Sequence, residues 1–203
     1  MKKDIYEFWK TNSLNNIKPS RVHKEFPEGF DVTQRLKEYK SEKEYGTITE
    51  IGCGYGRLCT GFNPDKYMGV DISPSALTRA GKLHPEYQFK LLSDIESIYD
   101  YPISKTKLLY TVLLHIPDSD IKEMIHALCE TTLGSVIVVE CLGRDWRRKG
   151  NPPVFNREIE DYKNLFENYG YELTDWTKWE YAAYKNWNKS DIQLSVMNYS
   201  PIV

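Results

Sequence analysis

Apolar residues in this chain fall into short runs divided by polar, glycine-bearing or proline-bearing stretches. From residue 47 onward the runs of strand length are Thr47–Ile51, Lys66–Val70, Tyr87–Leu92, Lys107–Leu114 and Ser135–Glu140. Val136-Ile137-Val138-Val139 is apolar at every position, which fits a strand covered on both faces. Helical patterns lie between the runs. Ser73 caps one helix, with Pro74 in its first turn. Asp118 or Ser119 caps another over Ile121–Cys129, where Ile121, Met124, Ile125 and Leu128 share a side. Such alternation predicts a parallel sheet with right-handed crossovers. After Glu140 the rhythm changes. A loop rich in Arg, Gly and Pro (Cys141–Asn156) precedes a helix, Glu158–Asn168, that stops at Gly170. Strands Tyr171–Trp179 and Ile192–Tyr199 close the chain. Residues 1–45 are polar and aromatic, with helical patterns at Asp4–Lys10 and Val32–Tyr39.

The chain of 203 residues is long enough for one domain with a sizeable core. No linker divides it, so it reads as a single domain in three stretches: an N-terminal helical segment (1–45), a ligand-binding core (46–140), and a loop, helix and final strand pair (141–203). A formal net charge of −2 supplies no global basic field to draw nucleic acid. The basic start, Met1-Lys2-Lys3, leads into no apolar segment of a secretory signal. The longest apolar stretch, Leu108–Ile116, is too short to span a bilayer. Cys53, Cys59, Cys129 and Cys141 have no C-x-x-C spacing, and His23, His84, His115 and His126 form no metal-type pair. The expectation is reduced thiols in a cytoplasmic protein, with no metal site and no membrane partner. Oligomeric state is left open.

The chemistry concentrates in Ile48-Thr-Glu-Ile-Gly-Cys-Gly-Tyr-Gly-Arg57. A strand breaking into glycines at 52, 54 and 56 lets backbone approach a ligand with no side chain in the way. Nineteen residues after Gly52, Asp71 closes the next apolar run, where an acid can take both hydroxyls of a ribose. An adenosine-type cofactor follows. A dinucleotide turn wants a small residue at its sixth position, where Arg57 stands, and a phosphate loop wants a Gly-Lys-Ser/Thr that is missing.

With Glu50, the alternating glycines, Asp71 and a later Asp94, residues 46–140 resemble the class I S-adenosylmethionine-dependent methyltransferases, and the last two strands match that family's usual ending. The resemblance implies an α/β, doubly wound, mostly parallel seven-stranded sheet with helices on both faces and an antiparallel last strand. It implies S-adenosyl-L-methionine as cofactor. Backbone N–H groups from Gly52 through Cys53 and Gly54 to Gly56 would face the methionine part and ribose, and Glu50 would meet the ammonium. Asp71 would hold the ribose, Asp94 the adenine amino group, Ile72 and Ile95 the ring faces, and Tyr110 or Thr111 the sulfonium region. One departure is the first crossover: residues 57–62 are few for the usual helix, which leaves one sheet face less covered.

Methyl transfer from a sulfonium is an in-line displacement, so the protein mainly aligns and desolvates the reactants. A base is needed only for a protonated, weakly acidic nucleophile. His115, just past the fourth strand, is the candidate; its alternative is a purely structural hydrogen bond in the turn. The acceptor would lie under the loop after Glu140, where Arg144, Arg147, Arg148 and Lys149 surround Trp146 and suit an anionic small molecule, or simply form a solvated charged loop. Tyr6, Trp9 and Arg21 would form a lid or pack as satellite core. Asn151-Pro152-Pro153 follows the fifth strand and lacks the next aromatic, so it is not read as the signature of nucleic-acid amino-methylation. A small-molecule methyltransferase is the first expectation. Its alternatives are an enzyme acting on nucleic acid or protein, and a cofactor-binding protein without activity.

Overall fold

The computed structural model describes residues 5–11, 31–93, 100–143, 154–179 and 193–203. Its strands are β1 (Ile48–Ile51), β2 (Tyr67–Asp71), β3 (Gln88–Leu91), β4 (Ser104–Tyr110), β5 (Thr132–Leu142), β6 (Tyr171–Trp179) and β7 (Gln193–Pro201). They form one sheet in the order β3-β2-β1-β4-β5-β7-β6. The pairs from β3 to β5 are parallel, and β7 runs antiparallel to both β5 and β6. The chain winds outward from β1 to β3, then returns to start again at β4. Strand order therefore reverses between β1 and β4, where open α/β sheets leave a crevice at their carboxyl ends.

The helices are α1 (residues 5–11), α2 (Val32–Tyr39), α3 (Glu42–Tyr45), α4 (Pro74–Leu83), α5 (Ile121–Glu130) and α6 (Ile159–Glu167). Alternate strand residues feed two cores. On one face Ile51, Val70, Leu109, Val136 and Val138 pack with Met124, Ile125 and Leu128 of α5 and with Tyr162 and Phe166 of α6. On the other, Ile48, Tyr67, Leu108, Ile137 and Val139 pack with Val32 and Leu36 of α2 and with Tyr45. Both faces are thus apolar, as a doubly covered sheet requires.

The second face is closed in an unexpected way. No α-helix joins β1 to β2; the connection is a turn over 54–58 and two short 3-10 segments, Cys59–Gly61 and Pro64–Lys66. The cover comes from upstream instead. Asp31 caps α2 by accepting the Thr33 and Gln34 N–H groups, and Ser41 with Glu44 forms a capping box on α3. A Cβ on Gly61 would lie 2.2 Å from Thr33 Cγ2, so only glycine lets α2 settle on the turn. Leu36 is completely buried there, which contributes about 2 kcal/mol.

Two boundaries differ from the sequence pattern. β4 ends at Tyr110, four residues before the apolar run does, because Leu113–His115 forms a buried 3-10 turn. The N-cap of α5 is Asp120 rather than Asp118 or Ser119, and its side chain caps nothing. Its carboxylate is drawn instead to the Tyr6 hydroxyl, at 2.7 Å, and to Ser119 Oγ, at 2.6 Å.

Candidate active site

The crevice predicted by the topology is a cavity of about 140 Å³ at the carboxyl ends of β1, β2 and β4. Its lining is mostly apolar and aromatic. Ile51 and Gly52 come from the end of β1, Asp71 and Ile72 from β2, Leu92 from β3, and Tyr110, Thr111 and Val112 from β4. His115 and Ile116 follow in the 3-10 turn, Met124 rises from α5, and Tyr6 and Trp9 reach over from α1. Arg57 is the guanidinium in this wall.

The glycine turn is bent as its sequence requires. Gly52, Gly54 and Gly56 have φ of 72°, 57° and 81°, a region that favours glycine. Gly52 has a second reason: a Cβ there would sit 2.6 Å from Val112 Cγ2. The turn's N–H groups, however, are used by the protein. Gly52 and Cys53 donate to the Val70 carbonyl, Gly56 donates to the Cys53 carbonyl, and Gly54 donates to Asp71 Oδ2 at 2.8 Å. The turn therefore offers a ligand shape and closeness rather than this row of donors. Cys53 is buried, with its Sγ against the bare Cα of Gly69, and burial pushes its thiol well above the ordinary range.

Asp71 is the cavity's carboxylate. Oδ1 accepts the Ser73 N–H at 2.8 Å while Oδ2 takes Gly54. Burial raises its pKa, and the backbone N–H groups of Ser73, Gly54 and Ile72 pull the other way. Each oxygen keeps a lone pair after these bonds, so the group is aimed and still able to accept two further donors.

Glu50 is not in the cavity wall. It points to the opposite sheet face, accepts from the Tyr67 hydroxyl and is 3% exposed. Burial pushes its carboxyl up to about 7, offset by the Tyr67 bond and the Arg57 charge. The structure thus brings Gly52, Asp71, Ile72, Thr111, His115, Tyr6 and Trp9 to one cavity, while Glu50, Cys53, Gly54 and Gly56 do not line it. Asp94, Ile95, Arg144, Trp146 and Arg148 lie outside the described residues, as do Arg21, Arg147, Lys149 and Asn151 to Pro153.

Arg57 was read in the sequence as the residue that spoils a dinucleotide turn and as an alternative partner for Glu50. Its guanidinium sits 5.2 Å from the centre of the Tyr110 ring, a cation–π arrangement that holds a positive charge at the cavity. The signal was present: a cation directly after a glycine turn. Leu92 and Met124, also missed, carried no signal beyond ordinary apolar periodicity.

Thr111 is the non-glycine residue described with positive φ, 53°. A β-branched residue held there costs about 1–3 kcal/mol and marks a place where surrounding structure over-determines the backbone. The rings of His115 and Trp9 lie 4.5 Å apart. The Trp9 indole nitrogen is buried with no hydrogen-bond partner. Helix α1 bridges the cavity: Tyr6 reaches Asp120 on one side, and the Lys10 carbonyl accepts from Ser73 Oγ at 3.3 Å on the other.

The sequence matches no family model and no curated protein. Its fold matches many solved structures. Magnesium protoporphyrin IX methyltransferase from Synechocystis PCC 6803 with bound SAH superposes with a TM-score of 0.71, at 13% identity, over 99% of this chain and 100% of that one. A SAM-dependent methyltransferase from Methanosarcina mazei gives 0.67 at 16% identity over 86% of this chain and 100% of that one. The [4+2]-cyclase SpnF gives 0.66 at 16% identity over 85% and 80%. The chain has the class I S-adenosylmethionine-dependent methyltransferase fold, in which the SpnF match places a cyclase as well.

Proposed function

We propose that the chain is an S-adenosyl-L-methionine-dependent methyltransferase acting on a small-molecule acceptor. The observation that carries this reading is Asp71: a carboxylate at the end of β2, fixed by the glycine turn's own backbone, with accepting capacity directed at an apolar cavity. Two vicinal ribose hydroxyls match that capacity. Ile72 and Leu92 provide apolar surface for the nucleoside, and Arg57 supplies the charge that a methionine carboxylate needs. The cofactor supplies an activated methyl group on a sulfonium.

The chain's own part in the reaction is alignment and exclusion of water, through Tyr110, Thr111, Val112 and the α1 residues Tyr6 and Trp9. His115 stands at the same wall and takes the acceptor's proton where the nucleophile arrives protonated. The basic residues Arg144 and Arg148, with Trp146, are the proposed contacts for an anionic acceptor. A slight negative net charge argues against a nucleic-acid acceptor.

A thermal-shift screen tests the reading. S-adenosyl-L-methionine or S-adenosylhomocysteine (SAH) should raise Tm, by about 2.7 kcal/mol of added stability at a hundred times Kd, while NAD should not. No response to either sulfur nucleoside sinks it. The match to SpnF favours a second reading, a cofactor-holding protein that transfers no methyl group. That reading predicts SAH binding without release of SAH from S-adenosyl-L-methionine under any acceptor screen.

A further inference from the structure

The sheet face under the cavity buries a carboxyl group and a guanidinium that line no part of it. Glu140, in β5, is 0% exposed, and Arg157, just before α6, is 5% exposed. Their bonds converge on the turn that carries His115. Glu140 Oε2 accepts the Leu114 N–H at 3.1 Å, and Oε1 accepts the Cys141 N–H at 3.0 Å. Arg157 Nη1 donates to the Leu113 carbonyl and Nη2 to the Ile116 carbonyl, both at 2.9 Å, and Nη2 also meets Asp118 at the surface. The Leu114 carbonyl is taken by the Phe155 N–H at 2.7 Å, two residues from Arg157.

We propose that Glu140 and Arg157 are positioning residues that hold the turn 111–116, with His115 and Thr111, in place against the glycine turn. This rests on reading the cavity as the cofactor site.

A stabilising role alone accounts poorly for these two groups, because desolvating them costs much of what their hydrogen bonds return. What the two groups supply here is direction. Both Glu140 oxygens accept backbone N–H groups, although burial pushes the carboxyl up to about 8, and a guanidinium only donates, so together they fix the turn's N–H and C=O groups in opposite senses, which apolar residues cannot do. The turn needs such fixing. It begins at Thr111, whose φ is 53°, and presses Val112 so close to Gly52 that no Cβ fits between them. Slippage of the turn would shift His115, Thr111 and Val112, all in the cavity wall.

The test uses Glu140→Gln and Arg157→Lys, with SAH as the probe ligand. Leu36→Ala, a truncation on the other sheet face, serves as a control for lost stability. Glu140→Gln should weaken SAH binding by calorimetry about tenfold, the scale of a misplaced binding group. It should also shift or split the His115 ring signals in the NMR spectrum. Arg157→Lys, which keeps the charge but loses the fork, should fall between it and the wild type. Leu36→Ala should lower Tm and move neither readout. Unchanged SAH affinity and unchanged His115 signals in a folded Glu140→Gln overturn the proposal. So does failure of both variants to fold, which assigns the pair to the core. If the wild type itself binds no SAH, the cofactor reading fails, and the His115 signals alone decide whether the clamp exists.

Discussion

The two ends of β4 deal with polar groups in opposite ways. Toward the amino end reaches the side chain of Lys107, a completely buried mid-strand residue whose ammonium donates to the Pro102 carbonyl at 2.6 Å, the Thr131 carbonyl at 2.7 Å and Ser104 Oγ at 2.9 Å. All three donors are spent. At the carboxyl end, four residues on, the chain turns through a strained Thr111 into a cavity where Asp71 keeps lone pairs and the Trp9 N–H has no partner. Burial brings Lys107 down to about 7 and also raises Asp71, so both ends carry a shifted group. A perturbed ionisation is therefore a poor guide to function here; unspent hydrogen-bonding capacity beside a cavity is the better one.

Four measurements bear on that contrast. His115→Ala should have the largest effect, a loss of about a hundredfold in SAH release if the imidazole serves as base. Near-normal turnover in a folded variant would return it to a structural role. Asp71→Ala should weaken SAH binding by about 2 kcal/mol, some thirtyfold, since a charged acceptor for two hydroxyls is lost. An unchanged Kd by calorimetry would remove the ribose from this position. Lys107→Met examines the other end. Between about 7 and the ordinary 10.5 the unfolded chain binds a proton that the folded chain refuses, so stability rises with pH across that window. The variant should lose this slope, at most about 1.4 kcal/mol per pH unit, in Tm measured at pH 7, 8 and 9. Tyr6→Phe should cost about 1 kcal/mol by leaving Asp120 one donor short, read as a small fall in Tm. An equal Tm would show that the clasp of α1 on α5 carries no weight.

Elements whose local signals agree with their surroundings were legible in the sequence. β6 spans the predicted Tyr171–Trp179 residue for residue, and Ser73 with Pro74 starts α4 as read, with Ser73 Oγ accepting the Ala76 N–H. The glycine turn and Asp71 were legible because spacing and backbone need coincide. The end of β4 was not, since Val112-Leu113-Leu114 is as apolar as the strand before it, and hydropathy does not separate a strand from a turn packed into the core. The cap of α5 was misread because the partner that claims Asp120 is Tyr6, 114 residues away. Glu140 and Arg157 passed as a strand end and a loop residue for the same reason: single charges announce their partners only in three dimensions. Glu50 was assigned to a ligand through resemblance, while the strand's alternation already put it on the same face as Ile48, away from Ile51 and the cavity.

The wall over Ile48, Leu108 and Ile137 is borrowed from chain that precedes β1, not from the crossover that follows it. Trimming the protein to begin at residue 46 would keep every strand and the glycine turn with Asp71, though not Tyr6 and Trp9 over the cavity. It would nonetheless strip Val32, Leu36 and Tyr45 from the sheet and bare an oily flank. Copies so shortened should cling to one another and precipitate during purification, however intact their strands.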